Sequence, residues 1–283
     1  MPERPSRRLM LTGALAVATT ALTGCGVRLE DDAPDLPFVP RREPIPAEQA
    51  LLAVLGALEA GGEEHATQRA DLLREALVEA QVPESVIADA SAPASDAETA
   101  AAFEAAVREC GAGMLGLVGR LTATHRITSP LGDKPRLWTT PPAEAWTAGK
   151  IAADALEATR ATMYALDLIA ARSSTTVSKA VLDTGTELEG LAVRQTTAAG
   201  KHVGSATLGY ERPDDLRGSK AMEWGTESFG KLLVAYGACF DGLADDRDAA
   251  LETVTWMVTA ERLSRPRFAQ PVPVLYGDTT ATG

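Results

Sequence analysis

Residues 214–242 read DDLRGSKAMEWGTESFGKLLVAYGACFDG, and their reading decides the fold. Met222, Phe229, Leu233, Tyr236 and Phe240 are spaced 7, 4, 3 and 4. At 3.6 residues per turn that spacing draws one apolar stripe along a helix. A strand would alternate every second residue, and no segment of this chain sustains such alternation. The stretch therefore predicts a single helix over 214–242. Gly230 and Gly237 border the stripe and predict that a neighbouring helix comes close there. The aromatics read as core packing rather than as a cofactor pocket.

Working outward, the pattern predicts three more long helices over 143–172, 176–199 and 246–263. Their connections are short except for residues 200–213, which hold three Gly and one Pro. Long antiparallel helices with short connections predict a four-helix bundle over 143–263. The first helix faces the core through Ile151, Ala155, Thr159, Leu166 and Ile169, with Glu157 nearly opposite. In the second, the stripe is Val177, Val181, Leu188 and Ala192, and Asp183 and Glu187 lie outside it. Glu223 and Glu227 sit away from the stripe of the third. One carboxylate breaks this outward rule: Glu261 shares the stripe of Val254, Met257 and Val258. A buried acid needs a partner or a proton. Glu261 is thus the candidate buried acid, either a ligand or acid in a pocket or, the favoured reading, a residue paired with an Arg such as Arg262 or Arg265.

The half before the bundle is helical as well. Leu51, Val54, Leu55 and Leu58 recur at helical spacing after Pro46. A second helix is predicted over 67–81, with Ala70, Leu73 and Leu77 on one stripe. Ser95 and Glu98 form a capping box opening a third. Residues 111–126, with Met114, Leu117, Val118 and Leu121, form a fourth. Together they make a helical region over 47–126. Pro130, Pro135, Pro141 and Pro142 mark a linker over 127–142, and Pro266, Pro271 and Pro273 predict an extended tail over 264–283.

Residues 6–26, SRRLMLTGALAVATTALTGCG, give the protein an address. The apolar run Leu9–Leu22 is 14 residues long, short of the roughly 20 that span a bilayer. With Arg4, Arg7 and Arg8 before it, the run reads as a signal peptide over 1–24. Arg7-Arg8, in the context Ser6-Arg7-Arg8-Leu9-Met10-Leu11, resembles the twin-arginine export motif, with Met10 where the usual Phe stands. Leu22-Thr23-Gly24-Cys25 resembles a bacterial lipobox, which implies cleavage before Cys25 and its acylation. More than one acyl chain anchors stably. Residues 25–46, carrying five prolines, read as a semi-rigid stalk, or as a strap if Leu36, Phe38 and Val39 pack on the domain. The expected location is the extracytoplasmic face of a bacterial cell membrane, held by lipid at Cys25.

The chain carries 27 basic and 39 acidic residues, a net charge of −12. That balance argues against nucleic acid and against adhesion to an anionic surface. Beyond Cys25 only Cys110 and Cys239 remain. They read equally as a disulfide or as two buried thiols. The three histidines are His65, His125 and His202. None falls in the four bundle helices and none stands three residues after a Glu. His65, after Glu63 and Glu64, reads as a polar helix start rather than a weak metal site. No G-x-S-x-G and no P-loop are present, and no residue is singled out as catalytic.

Residues 143–276 resemble the ferritin-like domain of an uncharacterised family of twin-arginine-exported bacterial lipoproteins. The resemblance is carried by Ala155-Leu156-Glu157, Met163-Tyr164-Ala165-Leu166 and Ala170-Ala171-Arg172, by Tyr210-Glu211-Arg212-Pro213-Asp214-Asp215, and by Ala260-Glu261-Arg262-Leu263. The lead-in from Thr23 to Asp32 also resembles the start of that family. The resemblance implies a ferritin-like bundle and, in the middle of its first helix, a Glu-His pair. Thr159-Arg160 stand at that place here. A di-iron or di-manganese site needs a Glu from two helices and Glu-x-x-His from the other two. This sequence supplies neither pattern, so no metal ligand and no cofactor is assigned. The expectation is a lipid-anchored, non-catalytic binding or structural module whose partner the sequence does not name. The alternative is a ferritin-like metal-dependent oxidoreductase or metal store. A solute-binding lipoprotein would need α/β lobes, which the missing strand pattern opposes.

Overall fold

A computed structural model describes residues 42–129 and 144–279. The signal peptide with Arg7 and Arg8, the lipobox with Cys25, most of the stalk and most of the linker lie outside the described residues. So do the last four positions. Among the described residues the protein is all-α, with nine helices and no strand. They are α1 (Glu48–Ala60), α2 (Ala66–Glu79), α3 (Glu84–Ala88), α4 (Asp96–Glu109), α5 (Leu115–Thr128), α6 (Gly149–Arg172), α7 (Thr175–Ala199), α8 (Ser219–Cys239) and α9 (Arg247–Phe268). No described helix is long and apolar enough to cross a membrane.

The four long helices close a ring. α6 packs against α7 and α8, α8 against α9, and α7 touches α9. Their directions follow from which ends meet. Gly149, first in α6, lies against the Ala199 carbonyl that ends α7, so these two are antiparallel. Gly225 near the start of α8 meets Ile169 near the end of α6, and Gly242 just beyond α8 meets Ile151 near its start. α6 and α8 are therefore antiparallel too. Arg194 late in α7 donates to Glu252 early in α9, which sets those helices antiparallel. The order is up, down, down, up, and residues 200–218 run the length of the ring to join the parallel pair α7 and α8.

Several expected boundaries move, each for a local reason. α6 begins at Gly149 rather than 143, since Trp146 turns its N–H onto the Ala198 carbonyl at 2.8 Å. α8 begins at Ser219 rather than 214, because Gly218 sits at φ 56°, a left-handed conformation that breaks the helix before it. α5 runs to Thr128, so the linker starts later than 127; Ile127 is fully buried and keeps the last turn in register. The tail is not extended from Ser264: α9 continues through Pro266 to Phe268. A proline so near a helix end removes one backbone bond. Burial of Phe268 offsets that loss, stacked on Phe229 at 5.5 Å and filling the space above Gly225.

The core faces shift in similar ways. Ile151 and Met222 are half-buried rather than central, and Val177 is exposed, because the first turn of α7 stands clear of its neighbours. Gly230 and Gly237 of α8 do admit a close neighbour, but it is the C-terminal segment rather than a helix. A Cβ on Gly237 would lie 2.3 Å from the Gly277 carbonyl, and one on Gly230 would meet Gln270 at 3.1 Å. Residues 269–277 thus cross the ring and return to the helices of the first half. There α1 packs on α2 and α4, while α4 and α5 pack on α9. The capping box at Ser95 forms with a variation. The Glu98 N–H donates to Ser95 Oγ at 3.3 Å, and the Glu98 carboxylate accepts from Ala94, one residue further out.

Candidate functional site

Glu261 lies at the end of the α9 stripe and is 1 % exposed. Arg265 Nε donates to Glu261 Oε1 at 3.2 Å, and the Tyr276 hydroxyl donates to the same oxygen at 3.2 Å. Of the two arginines weighed from sequence, Arg265 is therefore the partner. Arg262 turns the other way and caps α5 by donating to the Arg126 and Ile127 carbonyls at 3.0 and 2.9 Å. Burial raises the Glu261 carboxyl above its ordinary value, against the pull of Arg265. Burial first, and then the Glu261 charge, push Tyr276 up to about 12.

Tyr276 reaches Glu261 only because the C-terminal segment is held down along its length. Its N–H donates to Thr124 Oγ1 at 3.0 Å. Arg69, itself 1 % exposed, donates from Nε to the Val274 carbonyl at 2.7 Å and from Nη2 to the Pro273 carbonyl at 3.2 Å. Arg69 Nη1 also meets Glu63 Oε2 at 3.2 Å, which in turn accepts from Thr128 at 2.6 Å. A cavity of about 480 Å³ opens beside this network, lined by Glu63, Glu64, Thr128, Glu261, Arg265 and Tyr276. Among its charges Glu261 pairs with Arg265 and the Tyr276 hydroxyl, Glu63 pairs with Arg69, and Glu64 lies 3.5 Å from His65. Such an arrangement ties the C-terminal segment to α9 and to the helices of the first half.

A second polar cluster lies in the middle of the helix ring, and sequence reasoning missed it. Thr159 of α6, Gln195 of α7 and Tyr236 of α8 are each fully buried. Thr159 Oγ1 lies 2.7 Å from Gln195 Oε1 and 2.7 Å from the Tyr236 hydroxyl, and Gln195 Nε2 donates to that hydroxyl at 3.0 Å. A closed cycle satisfies all three, with Thr159 donating to Gln195, Gln195 to Tyr236 and Tyr236 to Thr159. Burial raises the Tyr236 pKa, so the phenol stays protonated and the cluster neutral. The available signal was Gln195, a polar residue seven positions after Leu188 and three after Ala192 on the core stripe.

The remaining candidates are scattered. His65 precedes α2 at φ 65° and pairs with Gln68 at 2.6 Å. His125 is on α5, stacked on Phe103 with ring centres 4.3 Å apart. His202 sits in the short turn after α7, beside Gly149. Cys110 and Cys239 are free, buried thiols, and burial pushes Cys239 up to about 12. Glu157 does not stand free on the outer face as its helical position suggested. The connection between α7 and α8 reaches it while leaving it half-exposed, and the Tyr210 hydroxyl donates to its carboxylate at 2.9 Å. Glu223 and Glu227 are exposed, with Glu227 paired to Lys231 at 2.6 Å. Among the described residues no three His, Cys, Asp or Glu side chains gather as a metal site would require.

Fold and cluster together define an all-helical protein whose ring of four long helices has a neutral, hydrogen-bonded centre. No family model matches the chain, and neither a curated protein nor a solved structure matches it.

Proposed function

We propose that this chain is a lipid-anchored protein of the extracytoplasmic face of a bacterial membrane, whose ferritin-like bundle α6–α9 serves as a non-catalytic binding or structural module. The address rests on Arg7-Arg8 and on Leu22-Thr23-Gly24-Cys25. The ferritin-like reading is supported by the up-down-down-up order and its single long connection.

One observation carries the module reading: the Thr159–Gln195–Tyr236 cycle at the centre of the ring. A ferritin-like metal pair needs carboxylates and imidazoles projecting inward from all four helices. Divalent cations of that kind are held by anionic oxygens and neutral imidazoles. Here the inward groups are a hydroxyl, an amide and a protonated phenol, hydrogen-bonded to one another and, at Thr159, to the Ala155 carbonyl at 2.9 Å. These residues do not fit a di-iron or di-manganese centre.

The test is elemental analysis of processed protein, purified from a host with a working twin-arginine pathway. Iron, manganese, zinc and copper below about a tenth of an ion per chain support the module. Metal near one or two ions per chain overturns it in favour of a metal-dependent oxidoreductase or store. Separately, Cys25→Ser should release the protein from membranes or leave it uncleaved. Unchanged fractionation with unchanged mass sinks the anchor.

A further inference from the structure

A cleft of about 810 Å³ lies between α4, α5 and the first half of α9. Its volume falls within the range of small-molecule pockets, roughly 300–1,000 Å³. Phe103, Ala100 and Leu251 give it apolar wall, and Asp96, His125, Asp248 and Glu252 also line it. Most of its charges already have partners. Arg108 donates to Asp248 at 2.7 Å and pairs with Glu104 at 3.0 Å. Glu252 accepts from Arg194 and, at 2.9 Å, from Trp256 Nε1.

Two groups are left over. The exposed Asp96, first residue of α4, lies at the mouth of the cleft and has no ion-pair partner among the described residues. The half-buried His125 lies flat against Phe103, its ring 9° from parallel, and neither of its nitrogens is hydrogen-bonded to a described residue. Both nitrogens keep some contact with solvent, so they are reachable by a guest. Burial lowers the His125 pKa, so at neutral pH the ring is uncharged and one nitrogen is an acceptor. The lining thus offers an apolar wall, an anion and a vacant acceptor. Its four carboxylates outnumber Arg108 and Arg126, which disfavours an anionic guest.

We infer that this cleft binds a small organic cation with an apolar body, an aryl- or alkylammonium, its head at Asp96 and His125 and its body along Phe103, Ala100 and Leu251. The inference rests on the reading of the chain as a binding protein, and it places the site where α4 and α5 meet α9 rather than inside the α6–α9 bundle. The wall packs the hydrocarbon, Asp96 supplies the counter-charge, and His125 accepts an ammonium proton. Specificity comes from the pairing: the ring or alkyl group alone lacks the head contacts, and the head alone lacks the wall.

The test is proton NMR of the full chain carrying Cys25→Ser, purified without lipid. With only three histidines the ring signals separate, and His65 and His202 act as internal references. Benzylammonium should move the His125 ring signal along a saturating curve, with half-saturation on the order of 1 mM. His65 and His202 should stay in place. Benzoate, the same ring with the opposite charge, should bind roughly tenfold more weakly or not at all. Asp96→Asn should weaken benzylammonium by roughly tenfold while the helical circular dichroism is kept. If that variant fails to fold, the comparison of benzylammonium with benzoate on the parent chain decides alone. A linear, unsaturating shift, equal binding of benzoate, or parallel movement of all three histidines overturns the proposal. A flat titration on metal-free protein defeats the cleft and leaves the module standing. Stoichiometric metal defeats the module, whatever the titration gives.

Discussion

Two buried polar clusters in this molecule solve the same problem in opposite ways. Thr159, Gln195 and Tyr236 close a neutral cycle inside the helix ring, where each side chain finds a partner without a charge. Glu261, Arg265 and Tyr276, with Arg69 and Glu63 nearby, form a charged network where the C-terminal segment crosses from the ring to the first half. The neutral cycle answers only to packing. The charged network answers to packing and to pH, because burial has raised Glu261. The difference teaches where each kind of polarity is useful. A neutral cycle holds three helices in register, while charged side chains reach the carbonyls of an irregular segment that no helix satisfies.

The comparison can be broken most severely at Arg69. Arg69→Met removes both guanidinium bonds to residues 273 and 274 and leaves Glu63 without its cation. Urea unfolding should show a loss of about 3–5 kcal/mol, the cost of removing one partner from a buried charged set. A loss under about 1 kcal/mol would mean that the C-terminal segment is held elsewhere.

The neutral cycle should respond less, and in a way that depends on how many members are changed. Tyr236→Phe leaves Thr159 and Gln195 short of a partner and should cost about 1–3 kcal/mol. Replacing all three with apolar residues of similar shape, Thr159→Val, Gln195→Met and Tyr236→Phe together, should recover most of that loss. A triple variant as unstable as the sum of the single changes would show that the cycle contributes more than satisfied polarity.

The two clusters should also separate with pH. The folded-state pKa of Glu261 is raised, so the folded chain holds that proton more tightly than the unfolded chain does. The stability this gives is complete below the ordinary carboxyl value and is lost as pH rises through the raised one. Parent stability should therefore fall relative to Glu261→Gln over that window, whereas Tyr236→Phe should keep a constant offset from the parent. Denaturant midpoints from about pH 4 to about pH 8 check both. A constant gap between the parent and Glu261→Gln would mean that Glu261 does not titrate differently on folding.

The smallest effects belong to the outer carboxylates. Glu223→Ala and Glu227→Ala should change stability by no more than about 0.5 kcal/mol. Glu157→Ala should cost about 1 kcal/mol, since it frees the Tyr210 hydroxyl and loosens the connection over α6. Equal effects at all three positions would mean that this connection gains nothing from its contact with Glu157.

Much of the fold was legible because helical faces are local. Leu51, Val54, Leu55 and Leu58 spelled out the buried side of α1, and Phe229, Leu233 and Tyr236 that of α8. The ends were less legible, because a proline that usually stops a helix was overridden at Pro266 by the burial of Phe268. The candidate site was half legible. Glu261 stood out as an acid on an apolar stripe, but its phenol partner lay in a segment read only as an extended tail. The glycines of α8 signalled a close approach without saying by what.

The sequence by itself determined that the protein is helical, the greater part of the faces its helices bury, and that Glu261 had to be buried. It also carries an export-like start whose reading needs no fold at all. Only the tertiary structure decided that Thr159, Gln195 and Tyr236 meet, across 36, 41 and 77 residues of chain. It alone decided that Tyr276 returns to Glu261, and that His125 lies against Phe103 with its nitrogens bonded to no described residue. The physical reason is that periodicity is set by neighbours three and four residues apart, so it reports which side of a helix is apolar. Which two sides then face each other is chosen by the packing of the whole chain, where shape and hydrogen-bond satisfaction must agree at once.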